Sequence, residues 1–139
     1  MSTQRPLFEP PKEWNPPQSL PDLSDAKEIA IDLETYDPGI KDTGPGWATN
    51  RGHVVGIAIA VDGFKGYYPL RHEGGGNFDE DALREQLKKY FENDSDKIFH
   101  NASYDVGWLK NWGINCKGKI IDTMVAAALI DENRMPGQY

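Results

Sequence analysis

Two apolar runs, Val54-Val55-Gly56-Ile57-Ala58-Ile59-Ala60-Val61 and Phe64-Lys65-Gly66-Tyr67-Tyr68, flank the dipeptide Asp62-Gly63. Asp-Gly between β-branched and aromatic runs predicts a hairpin, and the tolerance of both residues for positive φ suits a type I′ turn. An antiparallel pair this apolar needs a neighbouring strand and a covering layer. The strand is at hand in Glu28-Ile29-Ala30-Ile31-Asp32-Leu33-Glu34, whose apolar residues fall on both faces at period two, as in a buried central strand.

After the hairpin the period changes. Asp79 caps a predicted helix in which Leu83, Leu87, Tyr90 and Phe91 share one face, and a strand follows at 97–100. Asn101 caps a second helix carrying Val106, Leu109 and Trp112, which Gly113 stops; another strand lies at 118–121. Asp122 caps a third helix, through Met124, Val125, Ala128 and Leu129. The order β-ββ-α-β-α-β-α defines an α/β fold, with a hairpin beside a central strand and parallel pairing beyond it. Two loops stand out. Residues 36–52, rich in Gly, Pro and Asp, form a candidate substrate-facing segment, and His72-Glu73-Gly74-Gly75-Gly76-Asn77 reads as a flexible connector.

Six prolines within the first 21 residues, with no helical or strand period, mark 1–24 as an extended arm in which Phe8 and Trp14 are possible docking points. Residues 25–139 form one domain. At this size it needs no disulfide, and the lone Cys116 offers none; His53, His72 and His100 are too scattered to build a zinc site with it. No apolar run suggests a membrane span or signal peptide, so the expected setting is intracellular. A net charge of −7 argues against broad electrostatic adhesion to nucleic acid or anionic lipid. It does not exclude a nucleic-acid enzyme, because carboxylates that hold divalent cations add to the same count while the cations reverse the local field.

Asp32-Leu33-Glu34 ends the central strand. Residues i and i+2 of a strand share a face, so two carboxylates leave one side of the sheet together. With 22 acidic residues in 139, chance alone gives about one Asp-x-Glu, and a plain strand end entering solvent is the alternative reading. The second constellation is His100-Asn101-Ala102-Ser103-Tyr104-Asp105, just past the fourth strand. Asn101 and Asp105 are four apart on one helical face near the strands' C-terminal edge, where open α/β sheets bind ligands; the alternative makes Asn101 only a cap and Asp105 only a charge suited to a helix N-terminus. Together, three carboxylates from two adjacent strand ends suit two hard cations about 3.5–4 Å apart, the arrangement used in phosphodiester hydrolysis. No serine nucleophile with a histidine partner and no glycine-rich phosphate loop competes.

On Ile31-Asp32-Leu33-Glu34-Thr35, Asn101-Ala102-Ser103-Tyr104-Asp105, Gly107-Trp108-Leu109 and Ile121-Asp122-Thr123-Met124, the chain resembles the DEDD superfamily of 3'-5' exonucleases. It is most similar to the proofreading module of phage-type family A DNA polymerases, over about 29–139, with Gly44-Pro45-Gly46-Trp47 and the 72–77 loop similar to loops of the phage-type members. The resemblance implies a ribonuclease H-like mixed sheet of order 3-2-1-4-5 with flanking helices. It implies Asp32, Glu34 and Asp105 as catalytic residues and ligands of two divalent cations, Mg²⁺ or Mn²⁺: Asp32 bridging both, Glu34 binding one near the terminal nucleotide, Asp105 holding the second through water. Leu33, Thr35, Asn101 and Tyr104 are then expected at the substrate. The implied partners are a single-stranded DNA 3' end and a polymerase linked downstream, with no membrane, in a bacterial or phage-infected cytoplasm.

The family's third motif, Tyr-x-x-x-Asp or His-x-x-x-Asp, is missing. Tyr90 and Asp94 have the spacing but sit at a helix end before the fourth strand, so the expectation is a C-terminally truncated exonuclease domain, inactive as it stands. Two rivals remain: an RNA-trimming exonuclease akin to ribonuclease D, and a catalytically silent nucleic-acid-binding module. Asp122 is expected to act only as a cap, and His100 and Cys116 as packing residues.

Overall fold

The computed structural model describes residues 19–125. The elements are β1 (Glu28–Tyr36), α1 (Ile40–Thr43), α2 (Gly46–Thr49), β2 (His53–Val61), β3 (Phe64–Pro69), α3 (Glu80–Phe91), β4 (Asp96–Phe99), α4 (Ala102–Trp112) and β5 (Ile120–Asp122). They build one five-stranded sheet of order β3-β2-β1-β4-β5, the expected arrangement. β1 pairs antiparallel with β2 and parallel with β4, which pairs parallel with β5.

The alternation in β1 explains its central place. Ile29, Ile31 and Leu33 are fully buried and join Ile57, Ile59 and Tyr68 of the hairpin in one core with Leu83, Leu87 and Phe91 of α3 and Trp108 and Leu109 of α4. The α3 residues are spaced by four and so share a face. The Asp79 carboxylate opens that helix by accepting from the Ala82 N–H at 3.1 Å. Gly113, at φ 108°, closes α4 in the left-handed conformation that glycine adopts without a Cβ penalty.

Several expectations change. Only Gly63 of the hairpin turn has positive φ, 83°, so the turn is not type I′ but follows the type II pattern, with positive φ at its second central residue alone. β4 ends one residue earlier than expected, leaving His100 exposed instead of packed. The 36–52 loop contains two single helical turns, and the 72–77 segment is closed into a ring: His72 N–H donates to Asn77 Oδ1 at 2.8 Å while Asn77 Nδ2 donates back to the His72 carbonyl at 2.9 Å. Cys116 packs against the core, and burial pushes its thiol up to about 12. Of the arm, residues 1–18 with Phe8 and Trp14 lie outside the described residues, while Leu23 is buried in the core. Helical backbone starts again at Thr123; Ala128 and Leu129 lie outside the described residues.

Candidate active site

Directly paired residues of neighbouring strands share a face. Asp32 stands opposite Ala58 and Glu34 opposite Gly56, and Ala58 is in turn opposite Tyr67 of β3. The face opposite the isoleucines is therefore floored by Gly and Ala of β2, which leaves room above it for two carboxylates and a phenol. Asp32 is buried and Glu34 is partly exposed. A register shift between Glu34 and Thr35 interrupts the ladder, which resumes at Thr35↔Val54, as β-bulges do where a strand re-aims a side chain.

The third carboxylate arrives through a gap in the sheet. The β1–β4 ladder runs only from Glu28↔Asp96 to Ala30↔Ile98, so the N–H of Leu33 has no partner strand on that side. It donates instead to Asp105 Oδ2 at 3.4 Å, a reach of 72 residues along the chain. Asp105, fully buried in the first turn of α4, is thus set against the backbone between Asp32 and Glu34. Next to it, Tyr104 donates its phenolic proton to Asp37 Oδ2 at 2.8 Å and so accepts from the Thr35 hydroxyl, also at 2.8 Å. Burial, above all, pushes the Tyr104 phenol up to about 12. Leu33, Thr35 and Tyr104 are buried, and Asn101 is half-buried at the turn before α4.

Sequence reasoning missed Tyr67. Its hydroxyl donates to Glu34 Oε2, and His72 Nε2 lies 2.7 Å away; with the phenolic proton directed at Glu34, His72 donates from Nε2. Burial first, then the bond to Glu34, raises the Tyr67 phenol far above its ordinary value. The legible signal was Gly56-x-Ala58-x-Ala60 in β2, a small-residue face alternating with a β-branched one. Asn101 also departs from expectation: it precedes α4 at φ 76° and its side chain makes no capping bond. That task falls to Asp122, whose Oδ1 accepts from Asn101 N–H at 3.0 Å and whose Oδ2 accepts from Ala102 N–H at 2.9 Å.

Among the described residues no three acidic, His or Cys side chains converge into a cation cage. The donor set still suits hard cations: two same-face carboxylates, with a third anchored to the backbone between them, offer the oxygens that Mg²⁺ and Mn²⁺ prefer.

A family model described as 3'-5' exonuclease, the exonuclease domain of A-type DNA polymerases, matches residues 18–136. The chain belongs to this exonuclease family. It is 38% identical over 120 residues to a DNA-directed DNA polymerase of Pseudomonas phage M6, covering 80% of this chain and 18% of that protein. To DNA polymerase I of Borreliella burgdorferi it is 33% identical over 112 residues, covering 80% and 11%. The chain therefore spans less than a fifth of the length of these curated relatives. Among solved structures, Brucella melitensis NrnC superposes with TM-score 0.55 at 19% identity, over 84% of this chain and 51% of that one; NrnC with bound Mg²⁺ gives 0.54, with 84% and 52%. The likeness confirms the ribonuclease H-like fold of the exonuclease domain. No helix among the described residues is long and apolar enough to cross a membrane.

Proposed function

We propose that this exonuclease-family chain is the N-terminal part of a two-metal domain that removes nucleotides from single-stranded DNA 3' ends, as the proofreading module of a DNA polymerase in a bacterial or phage-infected cytoplasm. The observation that carries the reading is the placing of Asp105 against Leu33 N–H, between the same-face carboxylates Asp32 and Glu34. The polymerase relatives, several times longer than this chain, support the link to a polymerase.

Asp32, Glu34 and Asp105 would hold Mg²⁺ or Mn²⁺, which when bound neutralises phosphate charge and activates water. The chain's own residues prepare that site. Leu33 fixes Asp105 through its N–H, and Thr35 and Tyr104 lock the end of β1 to α4, so both elements carry their carboxylates as one unit. Asn101, half-buried at the strand edge, is the residue of the four expected at substrate that is best placed to touch a nucleotide. Leu33, Thr35 and Tyr104 are buried, so they act on the site by fixing its backbone and not by touching substrate.

The test uses a chain extended through the third motif, with 3'-labelled single-stranded DNA and RNA of one sequence in Mg²⁺ or Mn²⁺. Stepwise release from DNA ahead of RNA, lost in Asp32→Ala, is expected. Faster shortening of RNA would move the assignment to the ribonuclease D-like class, and cation binding indifferent to Asp32 would leave a silent binding module.

A further inference from the structure

The geometry points to Asp122 as a positioning residue that sets Asp105 in the active site, a role beyond capping its own helix. The turn 99–102 leads into α4 without ladder pairing to β1, because the β1–β4 ladder has ended at Ala30↔Ile98; beyond it the side chains of Tyr104 and Asp105 join α4 to β1. Its own first helical bond is long, Asp105 N–H to the Asn101 carbonyl at 3.4 Å. Asn101 stands in the left-handed region, and the N–H groups of Asn101 and Ala102 are of the kind that a helix start leaves without internal partners.

The backbone of the turn itself is held from the end of β5. Phe99 pairs with Asp122, whose two carboxylate oxygens take the Asn101 and Ala102 N–H groups, Oδ1 also accepting from Met124 N–H at 3.0 Å. Thr123 adds its hydroxyl, donating to the Phe99 carbonyl at 3.2 Å and lying 3.0 Å from His100 Nδ1. One carboxylate thus grips both N–H groups at the start of α4, three and four residues ahead of Asp105. A rotation of that first turn would carry Asp105 away from Leu33 N–H. The inference rests on the reading of Asp105 as a cation ligand, and partners that orient a ligand typically change metal affinity 10–100-fold when removed.

The experiment is nuclear magnetic resonance on the chain, titrated with Mn²⁺ alone. Wild type, Asp122→Ala, Asp122→Asn and the remote core variant Leu87→Ala are compared by paramagnetic broadening at the Leu33 and Asp105 amides and by the Asp105 carboxyl ¹³C shift. Asp122→Ala is expected to weaken Mn²⁺ about tenfold and to move the Asp105 carboxyl shift. Asp122→Asn, which keeps one acceptor oxygen, should recover part of both effects, and Leu87→Ala should lower Tm while leaving both unchanged. Wild-type affinity and an unmoved Asp105 shift in Asp122→Ala would overturn the proposal. So would equal losses in Leu87→Ala, which would reduce Asp122 to general stability. If wild type itself binds no Mn²⁺, the ligand reading of Asp105 falls separately, and the Asp105 shift alone decides whether Asp122 positions it.

Discussion

Replacing Gly56 by alanine tests whether the small-residue floor of β2 exists to admit the Tyr67–Glu34 contact. A Cβ at Gly56 would lie 1.9 Å from Tyr67 Oη, 2.5 Å from Cζ and 3.0 Å from Cε1, where ordinary contact begins near 3.4 Å. Tyr67 is 4% exposed, so the ring must turn out of its slot and give up its bond to Glu34. Losing a hydrogen bond to a charged group costs about 1.5–3 kcal/mol and overpacking a further ~1–3 kcal/mol, against a gain of ~0.5–1 kcal/mol from replacing strand glycine. The expected net loss is about 2–5 kcal/mol, or a fall in Tm on the order of 10 °C. Urea unfolding of Gly56→Ala, Tyr67→Phe and the double variant measures it. Tyr67→Phe removes the 1.9 Å clash but not the 2.5 Å one, so the double variant should lose at least ~0.5 kcal/mol less than the sum of the singles. Strict additivity, or Gly56→Ala within about 0.5 kcal/mol of wild type, would refute the argument.

Asp32→Ala should leave unfolding stability equal or higher, since burying a carboxylate costs free energy that no cation then offsets, while the extended chain loses Mg²⁺-dependent nucleotide release; residual activity near wild type would remove Asp32 from the site. The 139-residue chain alone should show little turnover on labelled DNA, and degradation that disappears in Asp105→Ala would mean another residue completes the site. Gly107→Ala should loosen α2 from α4, because its Cβ would sit 2.4–2.7 Å from three atoms of the Trp47 indole; this predicts a red-shifted tryptophan emission despite better helix propensity. The two-pronged Arg71–Glu80 bond, 2.8 and 3.0 Å, holds the Glu80 carboxyl below its ordinary value, so its modest stabilisation is complete at pH 7 and is lost as pH falls from about 4.5 through the lowered folded-state value. Glu80→Gln should cost that modest stabilisation at pH 7, flatten this part of the acid titration of stability, and converge on wild type once the pH is below the lowered folded-state value.

Local chemistry in the sequence determined much of the frame. The alternation of Ile29, Ile31 and Leu33 makes β1 a central strand, Asp62-Gly63 places the hairpin, Asp79 and Gly113 bound two helices, and period two alone puts Asp32 and Glu34 on one face. These are short-range signals, written within a few residues of the feature they specify. The tertiary structure decided which polar groups meet. The Leu33 N–H finds Asp105 because the β1–β4 ladder stops at Ala30, and Asp122 caps α4 in place of Asn101 because β5 ends beside that turn. Tyr67 reaches Glu34 only across the gap that Gly56 leaves. Each of these bonds joins residues 20 to 72 apart, and its formation depends on where strands begin, pair and part company, which no local run of residues encodes.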